Sequence, residues 1–563
     1  MPSALSRHIP LLEQLRTRQP GDLQSDVMAG LTTAIMLVPQ GMAYAMLAGL
    51  DPIVGLYAST VPLMIYGALG TSRQLAVGPV AMVSLLVASA VAPLANGDAA
   101  VYLALAGLLA LLVGAIQWGM GVLRLGFLVK FMSHPVIAGF TSAAALIIGL
   151  SQLSHVLGVK IPRSHHVHEI LLHAIEKAGD TNLVTLGISL ASMATLVALK
   201  RFAPRFPRFL LVVAGGALAV WGLGLHEMGV SIVGDVPSGL PSPALPALEL
   251  GSIQALLPTA ITIALVGFME SISVAKAFAR SGRYSIDADK ELQALGLANV
   301  AGSFLGAYPV TGGFSRTAVN AQAGARTGLA GIVTAGVVVL TLLFLTPLFT
   351  FLPKAVLAAI IMTAVFGLID FAEAKHLWHV SRPDLAAMGV TFVATLALGI
   401  EQGILIGVVG SLLWFVWSTS RPHVAVLGRL PGTSIYRNVE RYPEAEQLEH
   451  AVALRIDAPL FFANTAFLET TVRDHLTPAT RHVVVDCKAI GSVDAQALTT
   501  IDDILTDLED RGVTVWLAGV RGPVRDALHA AHIWERIGED HIVERVAEAM
   551  DEVEKDGRPR LVS

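Results

Sequence analysis

The chain has 563 residues, 54% hydrophobic and 14% charged, with a mean hydropathy of +0.65. This composition identifies a polytopic membrane protein, and the net charge of −5 says little because the charges are unevenly spread. The single cysteine, Cys487, excludes an intramolecular disulfide and suits a reducing compartment for the region that holds it.

Residues 1–24 are polar and mixed, with no apolar leader core, so they are expected on the cytoplasmic side. The first membrane helix is then expected to serve as the insertion signal. Runs with few or no charges follow at Val27–Leu50, Pro52–Ser72, Gln74–Gly97, Ala99–Leu123, Phe131–Val159, Leu183–Leu199, Phe209–Leu225, Pro258–Ala275 and Ala288–Ala307. A broken segment near 309–325 comes next. Thr327–Leu352, Ala355–Ile369, Leu385–Ile400 and Gln402–Ser420 complete fourteen segments within 25–421. Several are too short, or too interrupted by Gly and Pro, for a plain spanning helix of about 20 residues.

With the N-terminus inside, the inward loops carry Arg73, Arg124, Lys130, Lys200, Arg201, Arg205, Arg208, Lys276, Arg280, Arg283, Lys290, Arg326, Lys375 and Arg382. Outward loops carry mainly acids, and Lys160, Arg163, Lys177 and Lys354 are the exceptions. This positive-inside phasing predicts that both termini are cytoplasmic. The basic loop Lys200–Arg208 reads as a topology and lipid-headgroup signal, and nothing in it calls for nucleic acid.

Fourteen segments divide into two sevens, and an odd number per half inverts the second half relative to the first. The third segment of each half is irregular. One opens Gln74-Leu-Ala-Val-Gly-Pro-Val-Ala81, the other Tyr308-Pro-Val-Thr-Gly-Gly-Phe-Ser315. Each reads as a few extended residues, a Gly-rich break and then a helix, the second beginning near Ser315. Paired broken segments at matching positions point to a transporter site, against the plainer reading that Gly and Pro are common in membrane helices. Between Glu291 and Lys354 the only charges are Arg316 and Arg326. A guanidinium inside a membrane faces a cavity or a polar partner. A half-helix start there aims free N–H groups and a positive dipole end into the break, which makes an anion site.

After Arg421 the composition changes. Residues 422–432 read as a linker, 433–555 as a soluble α/β domain, and 556–563 as a frayed tail. Strands are predicted at Ala451–Ile456, His482–Asp486 and Val513–Leu517, helices at Ala495–Glu509 and Pro523–Ala531. No Walker or dinucleotide glycine motif is present, and no nucleophile–base arrangement suggests an enzyme.

Pro39-Gln-Gly-Met-Ala-Tyr-Ala-Met-Leu-Ala-Gly-Leu-Asp-Pro52, Ala76-Val-Gly-Pro79, Lys290-Glu-Leu-Gln-Ala-Leu-Gly-Leu-Ala-Asn-Val-Ala-Gly-Ser303 and Gly312-Gly-Phe-Ser-Arg-Thr-Ala-Val-Asn320 resemble the sulfate permease (SulP) family of anion transporters. The tail resembles the STAS domain of that family. The resemblance implies seven-plus-seven inverted repeats forming a core bundle (segments 1–4 and 8–11) and a gate bundle (5–7 and 12–14). It also implies an elevator-like cycle, a homodimer, and a STAS domain with a possible cytosolic partner. The anion would lie between the N-termini of segments 3 and 10, against segment 1.

Carried over by motif, the substrate-binding candidates are Gln40, Tyr44, Val80, Ser315 and Arg316. An anion needs donors that release no proton. Backbone N–H groups near Val80 and Ser315, the Ser315 hydroxyl and the Gln40 amide supply them. Tyr44 shares a helix face with Gln40. Alternatives stay open: Gln40 bonding carbonyls freed by Pro39, Tyr44 as packing, Ser315 as an N-cap, Arg316 turned to a carboxylate or to the cytoplasmic side. Glu270 is the only charge between Gly251 and Ala275. It is either a proton carrier or a fixed ion pair with Arg316. Asp370, Glu373 and Glu401 read as solvated, as do His165, His166 and His168, so no metal or organic cofactor is expected. In the STAS-like run Val493-Asp494-Ala495-Gln496-Ala497, alanine stands where some STAS domains carry a phosphorylatable serine.

The expectation is a secondary active transporter of the plasma or inner membrane. Sulfate with H⁺ symport comes first. Na⁺ coupling, bicarbonate or dicarboxylate substrates, an anion channel and an anion-sensing scaffold are the alternatives.

Overall fold

The computed structural model describes residues 9–127, 133–161, 167–203, 206–246 and 248–556. Lys130, Arg163, His165, His166, Arg205 and the tail from 557 lie outside the described residues, as do the side chains of His168 and Glu401. The chain forms two compact units, Met1–Ser411 and Leu412–Ser563.

In the first unit the apolar runs become α1 (Asp22–Leu47), α2 (Pro52–Leu69), β1 (Val77–Gly78), α3 (Ala81–Ala95), α4 (Ala99–Val122), α5 (His134–Ser151), α6 (Leu183–Phe202) and α7 (Arg208–Leu223). Then come α8 (Leu250–Gly282), α9 (Ala288–Ser303), β2 (Thr311–Gly312), α10 (Phe314–Gln322), α11 (Leu329–Leu340), α12 (Lys354–Val365) and α13 (Arg382–Leu398), while α14 (Ile400–Ser420) runs across the boundary into the second unit. Among the described residues nine helical spans are long and apolar enough to cross a membrane. The rest, including α3 and α10, are shorter. The helix α8 is much longer than the apolar run Pro258–Ala275, because Pro258 is accommodated inside it and Lys276 and Arg280 continue its last turns. Small residues bring the helices close. A Cβ at Gly55 would collide with the Gly41 carbonyl, and one at Gly296 with the backbone of Gly114 and Trp118.

Two buried carboxylates fix chain entrances far away in sequence. Asp26 on α1 accepts from Arg326 N (2.7 Å), Thr327 N (3.0 Å) and Thr327 Oγ1 (2.6 Å), just before α11. Glu291 on α9 accepts from Tyr66 Oη (2.5 Å), Thr71 N and Oγ1 (both 2.6 Å) and Ser72 N (3.0 Å), which fixes the chain between α2 and β1. Both lie within the apolar interior, where an unpaired polar group is costly.

The second unit is a six-stranded sheet in the order β4-β3-β5-β6-β7-β8. Its strands are β3 (Val424–Arg429), β4 (Tyr436–Asn438), β5 (Ala451–Ile456), β6 (His482–Asp486), β7 (Thr514–Ala518) and β8 (Ile542–Val543). The last four run parallel, and β3 pairs antiparallel with both β4 and β5. Helices α15 (Thr465–Asp474), α16 (Ala495–Asp510) and α17 (Gly522–Ala530) pack on one face around Leu454, Val483 and Leu517. Helix α18 (Val546–Asp556) covers the other face over Val484 and Trp516. The expected linker 422–432 is corrected here: Val424–Arg429 is a central strand, buried through Ala425 and Leu427. At the start of α16, Asp494 accepts from Ala497 N (2.8 Å) and Phe462 N (2.9 Å), so Ala495 occupies the first helical position.

Replacing Glu291 by Ala leaves four donors without their acceptor, at about 1–3 kcal/mol for each one left buried. The thermal midpoint of the detergent-solubilised protein should fall sharply in Glu291→Ala and less in Glu291→Gln. Equal midpoints for wild type and Glu291→Ala would show that the α2–β1 connection does not depend on this carboxylate.

Candidate anion site

The site is built on a contact of two residues against two. Val77 pairs with Gly312 and Gly78 with Thr311, antiparallel, and Gly313 N donates to Ala76 O (3.2 Å). Such a short ladder cannot hold itself. Its neighbours hold it. Asn299 of α9 accepts from Val310 N (2.7 Å) and donates to Val310 O (3.0 Å) and Gln117 Oε1 (3.1 Å). Ser271 of α8 accepts from Gly312 N (2.8 Å) and bonds Thr311 Oγ1 (2.7 Å), and Thr311 Oγ1 donates to Gly267 O (2.6 Å). Thr317 accepts from Ala76 N (3.1 Å), Asn320 donates to Gln74 O (2.9 Å), and Ser84 bonds the Tyr308 hydroxyl (3.1 Å). The two strands and the helices they feed are therefore tied together at both ends.

Each strand leads into a helix start. Val80 is the extended N-cap of α3 and Gly313 the extended N-cap of α10, and neither helix has a side-chain cap. The first intrahelical bonds are Ser84 N to Val80 O and Thr317 N to Gly313 O. The N–H groups of residues 81–83 and 314–316 thus precede the ladders, at the positive ends of both helices. The helix begins at Phe314, close to the expected Ser315, but the alternative of Ser315 as the N-cap is not realised: the extended β2 backbone runs on through Gly313, which places Ser315 in the second helical position with its side chain exposed.

Arg316 is 1% exposed, a full guanidinium in the apolar interior. Its Nη1 donates to Pro79 O, while Nε and Nη2 have no partner. The guanidinium lies beneath Gly313, where a Cβ would stand 3.0 Å from Nη2, and beside Gly78, where one would stand 3.5 Å away. Tyr44, Glu270 and Tyr308 are the ionisable side chains around Arg316. Among the described residues no ion pair within 4.0 Å joins it to Glu270, and Glu270 Oε2 is buried without a hydrogen-bond partner. Gln40 Nε2 donates to the Tyr44 hydroxyl (3.0 Å), and Gln40 Oε1 has none. Gln40 thus gives one of its two amide N–H groups to Tyr44 and makes no bond to the carbonyls near Pro39. Gln40, Tyr44, Val80 and Arg316 are buried, Glu270 is half-buried and Ser315 is exposed.

The sequence reading missed Asn299, Ser271, Thr311 and Thr317. Asn299 stood inside one of the conspicuous runs, yet its partner at Val310 is a backbone group with no sequence signature. Chemically, the arrangement offers main-chain donors, a guanidinium with two free N–H directions and no nucleophile.

Residues 23–391 match the sulfate permease family, and residues 442–549 match the STAS domain. The chain is 40% identical to the probable sulfate transporter 4.2 of Arabidopsis thaliana over 95% of this chain and 83% of the relative. It is 36% identical to the probable sulfate transporter Rv1739c of Mycobacterium tuberculosis over 95% of this chain and 96% of the relative. The murine anion transporter Slc26a9, in its inward-facing state, superposes with a TM-score of 0.91 at 25% identity, over 98% of this chain and 96% of that one. On its motifs, its fold and these likenesses, this chain belongs to the sulfate permease family, as a multi-pass membrane transporter of inorganic anions with a C-terminal STAS domain.

Proposed function

We propose that the protein takes up sulfate by proton symport, with the anion held between the starts of α3 and α10 by their N–H groups, the Ser315 hydroxyl, Gln40 and Arg316, and with Tyr44 closing one side. The observation that carries this reading is the buried Arg316, with two unpartnered nitrogens between two uncapped helix starts. A guanidinium with free donors in a low-dielectric interior is stabilised strongly by an oxyanion, through charge-assisted hydrogen bonds. The names of the relatives, sulfate transporters from a plant and a bacterium, favour sulfate.

Glu270 is the proposed proton carrier. Its carboxyl has an unpartnered oxygen near Arg316, and protonation would cancel a negative charge beside the incoming dianion. We further read the membrane unit as two inverted seven-segment repeats moving as core against gate. Both termini would be cytoplasmic, the membrane the plasma or inner one, and the assembly a homodimer.

Labelled sulfate uptake into proteoliposomes should accumulate above equilibrium under an inward proton gradient. Uptake that never responds to any gradient would overturn symport. No sulfate uptake at all would move the substrate to bicarbonate or a dicarboxylate.

Arg316→Ala should weaken sulfate binding about 10- to 100-fold, and Tyr44→Phe by less, since a neutral hydroxyl contributes about half as much as a charged donor. Equal affinities for wild type and Arg316→Ala would remove Arg316 from the site. Gly313→Ala should also weaken binding, because its Cβ meets the guanidinium at 3.0 Å, while the thermal midpoint changes little.

Glu270→Gln should abolish stimulation by the proton gradient and spare sulfate binding. Stimulation that persists in this variant would exclude Glu270 as the carrier.

A further inference from the structure

The C-terminal unit holds a second concentration of positive charge. A cavity of about 440 Å³ opens beside the β3–β4–β5 edge of the sheet, lined by His423, Arg437, Arg441, Tyr442, Arg455 and Asp457. Three arginines share it with one carboxylate. Asp457 is engaged by Arg455, at 2.7 Å (Nε) and 3.0 Å (Nη2), and by His423 Nδ1 at 3.0 Å. The hydrogen bonds from Arg455 and His423 hold the Asp457 carboxyl below its usual range, so it stays ionised. Arg437 and Arg441 make no side-chain hydrogen bond or ion pair among the described residues, and both are exposed. Like charges gathered on one rim repel one another unless an anion joins them.

The place of the cavity in the chain narrows the ligand. Helix α14 ends at Ser420 with Trp414 and Trp417 stacked at 4.9 Å and Arg421 over the Trp417 ring at 5.1 Å. Exposed aromatics followed by an arginine mark the level where a spanning helix meets the headgroups. His423 stands three residues beyond, within about 10 Å of chain from that level. The volume suits more than a bare inorganic ion. Guanidinium forks match phosphate oxygens in charge and geometry.

We propose that this pocket, through Arg437, Arg441 and Arg455, binds a phosphate group, carried either by an anionic lipid headgroup or by a soluble phosphate compound. Arg437 and Arg441 supply the unengaged forks. Asp457 limits the affinity by occupying Arg455 and by repelling the ligand. The proposal is independent of what the membrane unit carries.

The test uses the full-length protein in phosphatidylcholine nanodiscs. Pyrophosphate is titrated by calorimetry, and nanodiscs containing phosphatidic acid are examined by native mass spectrometry for retained lipid. At least one probe should bind saturably. The double variant Arg437→Gln/Arg441→Gln should weaken that binding about tenfold or more. Asp457→Asn should tighten it, an opposite response that a merely disrupted domain would not give. The two arginines have no side-chain partner among the described residues, so the double variant should keep the wild-type thermal midpoint. Retained phosphatidic acid without pyrophosphate binding assigns a lipid source, and the reverse assigns a soluble one. Binding of neither probe, or undiminished binding to the double variant, would overturn the proposal.

Discussion

The membrane unit depends on one small contact, the antiparallel pairing of Val77–Gly78 with Thr311–Gly312. Everything that makes the site is a consequence of it. The pairing brings together residues more than 230 positions apart in the chain, turns two helix starts toward a common space, and sets Pro79 O where it can receive Arg316. Because four residues cannot sustain a sheet, the contact is held by side chains of α4, α8, α9 and α10, chiefly Gln117, Ser271, Asn299 and Thr317. The apolar interior makes each of these bonds expensive to lose, which is how so short a ladder survives.

The same economy recurs at the ends of the helices. Asp26 and Glu291 each place a carboxylate on the backbone of a segment from the opposite half of the chain, and each accepts two backbone N–H bonds together with hydroxyl donors. A single side chain thus does for a chain entrance what water does in a soluble protein. Both acids are fully buried with every carboxylate oxygen engaged, whereas Glu270 is half-buried. What distinguishes Glu270 is an oxygen with no partner.

Much of this was legible in the sequence. The breaks at Pro79 and at Gly312–Gly313 are local features, as are the lone intramembrane charges Arg316 and Glu270, and all were readable residue by residue. The strands Ala451–Ile456 and His482–Asp486 followed from their apolar runs, with unchanged limits. What was not legible rests on long-range register. Gly313, and not Ser315, became the N-cap because Ala76 O, far away in the chain, holds it extended. Val424–Arg429 looked like connecting chain because its strand character comes from lying between β4 and β5. Asn299 bonds main-chain atoms, which leave no trace in side-chain pattern.

The uncapped starts of α3 and α10 have an evolutionary consequence. Among substitutions only proline removes a main-chain donor, so the positive ends of these two helices persist through nearly any other change of sequence. Side chains around it, Gln40 and Tyr44 among them, are free to vary one at a time. With the anion held as proposed, attraction and choice of anion would be written in different parts of the polypeptide, and a lineage could exchange its cargo by a few replacements without passing through an ancestor that binds nothing.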